Sequence, residues 1–337
     1  MAMPDAAAAL GVTTEEAASW RDAAAAMYIP FDERLGVHPQ HAGFTDYARW
    51  DFRNTPEEKY PLLLHFPYFQ LYRKQVVKQA DLVLAMYLRS EAFTPEQKAA
   101  DFAYYEPMTV RDSSLSACTQ AVIAAEVGQL DLAHDYLAEA ALMDLRDVEH
   151  NTSDGVHMAS LAGGWLALVA GFGGMRAGIG PLAFSPRLPD GISALTFRMR
   201  YRGRKLRVTI KEGRARYELM EGDPLPVTHH GEEFEIGKRH IERKIPPVKA
   251  GPRPDQPPGR PPYSRGASSL FAQGLLARSP GPACSRSGPA RSRSRGLLAR
   301  GGGADFSAGI SGRVSRWAFA GAGPPGSAPP TDLTIGH

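Results

Sequence analysis

Leu195-Thr196-Phe197-Arg198-Met199-Arg200-Tyr201-Arg202-Gly203-Arg204-Lys205-Leu206-Arg207-Val208-Thr209-Ile210 alternates apolar and polar residues on both sides of an Arg202-Gly203 turn. Successive side chains of a strand point to opposite faces, so a period of two marks a sheet with one buried face and one wetted face. A second turn at Glu212-Gly213 leads into Ala215, Tyr217 and Leu219, which repeat the pattern. The run predicts an antiparallel meander. Upstream of about Gly180 the apolar residues recur every three or four positions, the helical period. The chain therefore reads as mainly α followed by β.

Working back from the meander, a helix is predicted from about Val156 to Ala170, with Leu161, Trp165 and Leu168 on one side. Gly163 and Gly164 would let a neighbour approach it closely. Before it, Asp131 is read as the cap of a helix burying Tyr136, Leu137, Ala140 and Ala141. A further helix follows Asp112-Ser113-Ser114, carries Leu115, Cys118 and Val122, and stops at Gly128. These last two form an antiparallel hairpin with a very short loop. Another helix runs from about Lys78 to Leu88. Thr13 and Glu16 form a capping box for one from about Thr14 to Met27, which Pro30 stops. Residues 31–70, aromatic and broken by prolines, read as long ordered loops. The expected division is a helical domain over 1–178, a β domain over 179–245 and a tail over 246–337.

The tail is compositionally separate. From Gly251 to His337 there are eleven Arg, no Lys and three acids, Asp255, Asp305 and Asp332. That stretch is +8 against +3 for all 337 residues, which leaves the first 250 at −5. Pro, Gly, Ser and Ala dominate it without a period, a composition that cannot offset its ordering entropy. It is expected to be disordered, and its Arg-without-Lys usage suggests translation in the wrong frame. An Arg-rich arm that binds anions is the functional alternative. The mildly acidic body gives no sign of nucleic-acid binding. Cys118 and Cys284 build neither a disulfide framework nor a metal site. No apolar run reaches the length of a membrane span, and Met1-Ala-Met-Pro-Asp starts no secretory signal. The expectation is a cytoplasmic protein.

Three places in the helical part set polar side chains at predicted helix openings: Lys78-Gln79, Ser113-Ser114 and His157. A helix N-terminus offers free N–H groups and the positive end of a dipole, so such side chains there suit an anion, phosphate above all. Plainer readings stand beside this one. Ser113 and Ser114 serve as N-caps, Lys78 is solvated, and His157 is structural. Phe66, Tyr68, Phe69 and Tyr72 are core rather than a sugar-stacking surface, and Tyr104-Tyr105-Glu106-Pro107 is a packing loop.

Several long segments carry a resemblance. They are Lys78-Gln79-Ala80-Asp81, the run from Tyr104 to Ser116 with its Tyr-Glu-Pro and Asp-Ser-Ser-Leu-Ser, Asn151-Thr152 with Gly155-Val156-His157, Gly171-Phe172-Gly173-Gly174-Met175-Arg176, and Leu182 to Pro189. Over about residues 10–240 the chain resembles glycoside hydrolase family 65, the maltose, trehalose and kojibiose phosphorylases. The resemblance implies the second half of an (α/α)6 barrel followed by a small C-terminal antiparallel β-sandwich. It implies that Lys78 and Gln79 bind the sugar, and that Ser113, Ser114 and His157 surround phosphate. Disaccharide and phosphate would be the partners, with no cofactor and no metal, in a homodimeric full-length protein. The implied reaction is inverting phosphorolysis of an α-glucosidic disaccharide to β-glucose 1-phosphate. The family's general-acid Glu lies farther upstream than the 77 residues before Lys78 allow, so it is expected to be absent here, as is the family's N-terminal β-sandwich. The chain is thus expected to be a fragment, inactive and poorly folded alone. A hydrolase of the same family, or a non-catalytic remnant that still binds sugar or phosphate, are the alternatives.

Overall fold

The computed structural model describes residues 9–147, 152–178, 180–257 and 331–335. Among the described residues, six helices of eight residues or more make the first part: α1 Thr14–Ala26, α2 Asp81–Leu88, α3 Pro95–Tyr105, α4 Ser116–Glu126, α5 Leu130–Leu142 and α6 Met158–Leu166. The Thr13 hydroxyl accepts from the Glu16 amide at 3.1 Å, as their spacing predicts. None of α1 is buried.

Residues 31–70 are ordered loops with single helical turns, such as Phe44–Asp46 and Leu62–His65. The Gln75 amide fastens them, donating to the carbonyls of Thr45 at 2.9 Å and Tyr47 at 2.6 Å. Phe66 packs edge-on against Trp50, 4.8 Å between centroids. Tyr68, Phe69 and Tyr72 are exposed, so the core reading holds for Phe66 alone.

Helix α3 has no counterpart among the predicted elements. Thr94 and Gln97 form its capping box, with Pro95 at its first position. Helices α4 and α5 make the expected hairpin, and Gly128 turns between them with φ +87°. Helix α4 is the most buried of these six helices, with Ala117, Ala121, Ile123, Ala124 and Ala125 all in the core. Asp131 does not cap α5: Gln129 holds that position and Asp131 lies in the first turn. The predicted helix ending near Ala170 stays α-helical only to Leu166. It then widens into a π-helical turn over Ala167–Phe172, while Arg176 takes the Ala170 carbonyl at 2.6 Å.

Eight strands follow: β1 Leu182–Phe184, β2 Ile192–Tyr201, β3 Arg204–Lys211, β4 Arg214–Glu221, β5 Leu225–His229, β6 Glu232–Ile236, β7 Ile241–Lys244 and β8 Thr331–Ile335. They form a five-stranded sheet ordered β7-β4-β3-β2-β8 and a three-stranded sheet ordered β1-β5-β6. The predicted meander is β2-β3-β4, with Phe197 opposite Val208 and Val208 opposite Tyr217. Phe184 and Phe234 of the smaller sheet lie 5.3 and 5.2 Å from the Tyr217 ring, so the two sheets share one core.

Two expectations need correction. The β part is not wholly antiparallel, because β1 pairs parallel with β5 and β2 with β8. The tail is not uniformly without structure either: Thr331–Ile335 adds the edge strand, and residues 246–257 lie against the helical part. The rest of the predicted tail, 258–330 and 336–337 with Cys284, lies outside the described residues, as does Asn151.

Candidate functional site

Two loops leading into α2 and α4 run side by side and build the site. Val77 accepts from Val110, and its own amide donates to Met108, both at 2.9 Å. This short parallel bridge sets the residues just after Val77 beside those just after Val110. Arg111 sits between them with φ +56°, the left-handed region that non-glycine residues rarely occupy. The turn there sends Asp112 to the Leu62 amide at 2.7 Å. It sends Ser113 to Gln79, whose side-chain oxygen accepts from the Ser113 hydroxyl at 2.9 Å.

Lys78, Gln79 and Asp81 line a cleft of about 450 Å³, together with Gln40, His41, Phe44 and Tyr72. Gln79 and Asp81 also border a second hollow of about 210 Å³, walled by Ser116 and Gln120. The loop bearing Gln40 and His41 is held by His38, whose Nδ1 lies 2.8 Å from Asp101 and whose carbonyl accepts from Tyr105 at 2.8 Å. Burial raises the Asp101 carboxyl above the usual range, against the lowering pull of His38.

The predicted site residues divide. Lys78, Gln79 and Ser113 come together, with Ser114 half-buried beside them. They do not open helices, however. Helix α2 starts at Asp81 with Ala80 as its N-cap, and α4 starts at Ser116 with Leu115 as its N-cap. Neither side chain caps α4: the Ser113 hydroxyl oxygen accepts from the Leu115 amide at 3.3 Å. The dipole argument is weaker here than the sequence suggested, and the side chains carry more of the polarity. His157 does stand at the N-cap of α6. Both its Nδ1 and its amide are engaged by Asp144, at 2.6 and 3.0 Å. Because a carboxylate only accepts, Nδ1 carries the proton and the ring is held by the end of α5.

Behind the cleft lies a buried polar cluster that sequence reasoning missed. Glu106, 1% exposed, accepts from the Tyr136 hydroxyl on one oxygen and from the Gln120 amide at 2.9 Å on the other. Arg111 reaches the Tyr136 oxygen at 3.4 Å and Glu139 at 3.3 Å. Burial drives the Glu106 carboxyl up, opposed by Arg111 and its hydrogen bonds. Burial and then Glu106 drive the Tyr136 phenol up. The sequence offered Glu106 only as part of a Tyr-Glu-Pro run, Tyr136 only as a buried helix residue, and Gln120 as a polar residue within a largely apolar helix. Among the described residues no group of three or more His, Cys, Asp or Glu is placed to hold a metal ion.

A helical part followed by β-sheets fits the class of proteins that the chain matches. The glycosyl hydrolase family 65 central catalytic domain matches residues 1–166, and the family 65 C-terminal domain matches residues 175–236. The chain belongs to glycoside hydrolase family 65. An uncharacterized glycosyl hydrolase of Mycobacterium leprae is 55% identical over 279 residues, covering 80% of this chain and 34% of its own length. The alpha,alpha-trehalose phosphorylase of Thermoanaerobacter brockii is 40% identical over 233 residues, 69% of this chain and 30% of that protein. A solved structure of a candidate kojibiose phosphorylase from the human microbiome superposes with a TM-score of 0.62 at 29% identity, covering 71% of this chain and 33% of that one. The chain thus spans about a third of the length of these relatives. A match over 80% of 337 residues must run past Gly251.

Proposed function

We propose that this chain supplies the sugar- and phosphate-facing half of an inverting disaccharide phosphorylase, its helices being the second half of an (α/α)6 barrel. In such a reaction an acid protonates the glycosidic oxygen while phosphate attacks the anomeric carbon from the opposite face. Phosphate takes the place that a base and its water fill in an inverting hydrolase. The protein must then offer cationic and hydroxyl donors where a hydrolase needs a carboxylate. The observation that carries this reading is the Ser113–Gln79 hydrogen bond at the rim of the Lys78 cleft. It brings the Ser113 hydroxyl to the Gln79 amide, which lines that cleft beside the Lys78 ammonium. Lys78 and Gln79 would meet the glucose unit, and Ser113, Ser114 and His157 the phosphate. Glu106 is enclosed by protein donors, so the proton donor would come from elsewhere in the complete enzyme. Maltose, trehalose or kojibiose would be the substrate type.

The names of the mycobacterial relatives favour a second reading, hydrolysis at the same cleft. Grafting residues 10–240 into the matching region of the Thermoanaerobacter brockii trehalose phosphorylase separates the two. Release of glucose 1-phosphate that requires added phosphate, and that Ser113→Ala with Ser114→Ala diminishes at least tenfold, supports phosphorolysis. Release of free glucose at an unchanged rate without phosphate would reject it.

A further inference from the structure

Past β7 the chain does not leave the molecule. Ile245 donates to the Gly213 carbonyl at 2.8 Å, and residues 246–257 then cross the α4–α5 hairpin. Lys249 and Ala250 pass directly over Gly128. A Cβ there would stand 2.7 Å from the Lys249 carbonyl oxygen and 3.2 Å from the Ala250 Cα, so the crossing needs glycine. The Gln129 side-chain amide donates to the carbonyls of Gly251 and Pro252, at 2.9 and 3.2 Å. The Arg253 guanidinium meets Asp135 at 2.9 Å. The Gln256 amide then donates to the Tyr136 oxygen at 2.8 Å and to Glu106 at 3.2 Å. Successive strap residues thus meet successive positions of the hairpin, from Gly128 to Tyr136. Five prolines between 246 and 257 preset an extended backbone and lower the entropy lost on docking.

We propose that residues 246–257 are a tie fastening the β-sheet part to the helical hairpin, and that Gln256 is a positioning residue for the hollow bordered by Gln79 and Gln120. One Glu106 oxygen is held by Tyr136 and Gln256, the other by Gln120, and Gln120 walls the hollow beside Gln79 and Ser116. Gln256 thereby closes a hydrogen-bonded circuit that joins Gln120 of α4 to Tyr136 of α5 through Glu106. No turnover is needed for this, so it stands or falls apart from the phosphorolytic reading.

Hydrogen–deuterium exchange of the full chain tests it. Losing a donor to a buried carboxylate leaves that oxygen short of a partner and destabilises the helices it joins. Gln256→Ala should therefore accelerate exchange in Ser116–Glu126 and Leu130–Leu142 by about fivefold or more, leaving β3 and β4 unchanged. Acceleration confined to residues 246–257, or none, overturns the proposal. Gln256→Glu adds a readout that simple loss of packing would not move. Its carboxylate repels Glu106 at pH 8, whereas at pH 5 a protonated Glu can donate again. After correction for intrinsic exchange, the acceleration should be larger at pH 8, and an equal effect at both pH values counts against the circuit. Should Gln256→Ala fail to fold, Arg253→Ala loosens the tie at its half-exposed ion pair. A smaller acceleration in the same two helices is then expected, and none would overturn the tie.

Discussion

Two adjacent glycines in α6 have opposite requirements. A Cβ on Gly163 would fall 2.4 Å from Cys118 Cβ and 2.6 Å from its sulfur, whereas one on Gly164 meets Ala141 at an ordinary 3.8 Å. Gly163→Ala is therefore expected to lower the unfolding free energy by about 1–3 kcal/mol through overpacking. Cys118→Ala should not rescue it, because the clash includes Cβ. Gly164→Ala should raise stability by up to about 1 kcal/mol, the helix-propensity gain; thermal melts of the three variants check the set. His230 gives a pH signature. Burial first, then His229 and Arg187, push its imidazole down to about 4. The unfolded chain takes up the proton near 6.5 while the folded chain resists, so this contribution is whole above pH 6.5 and is lost as pH falls towards 4. His230→Asn, which tolerates the residue's φ of +48°, should flatten that part of the pH–stability curve in urea titrations. At this scale the sequence reveals types but not partners. Lys78, Gln79 and Ser113 were legible as motif residues, whereas the Asp144 clamp on His157 and the Gln120–Glu106 bond join positions that only the folded chain brings together.

Helix α3 shows why an element can be signposted and still be missed. Thr94-Pro95-Glu96-Gln97 is a complete start signal, and Thr94→Ala should cost about 1 kcal/mol by thermal melt. Its buried face, however, includes Lys98 and Asp101, so no apolar stripe marks it. Those charges are buried because each has a partner from another element: Asp101 has His38, and Lys98 has Glu126 at 2.7 Å. Glu126 also takes Arg176 at 2.5 Å, tying α3, α4 and the turn after α6. Burial alone would raise the Glu126 carboxyl, but Arg176 and Lys98 outweigh it and hold it below its ordinary 4.5. A depressed folded value means the contribution is present above 4.5 and lost as pH falls further. Glu126→Gln should cost about 2 kcal/mol at pH 7, short of the 3–5 for a fully buried pair because Glu126 is partly exposed. The gap from the parent should narrow at pH 3.5, as read by urea midpoints. The β2-β3-β4 meander and the α4–α5 hairpin were legible because each pairs near neighbours with a clean period. Strand β8 was not, since its parallel partner β2 lies far away in sequence.

At the scale of the molecule, the β part closes its core while the helical part does not. Phe197, Val208, Tyr217 and Phe184 are fully enclosed between the two sheets. Helix α1 buries nothing, and Trp20, Met27, Tyr28 and Ile29 stand 49–75% exposed along it and just beyond its end. Tyr68, Phe69, Tyr72, Leu84 and Leu115 add apolar surface near the cleft. Monomeric proteins rarely leave apolar patches of this extent uncovered, and the relatives that share this region are about three times as long. The purified chain is therefore expected to bind a hydrophobic dye strongly and to form soluble oligomers whose size grows with concentration. The α1 face is the first place to test, because none of that helix is buried. Tyr28→Ser with Ile29→Asp should cut dye fluorescence by at least half and shift the oligomers towards monomer in light scattering, with the thermal midpoint unchanged because neither side chain packs on the core. If dye binding and association stay as in the parent, the exposed α1 face is not what makes the isolated chain associate, and the surface around Tyr68 to Tyr72 would carry that property instead.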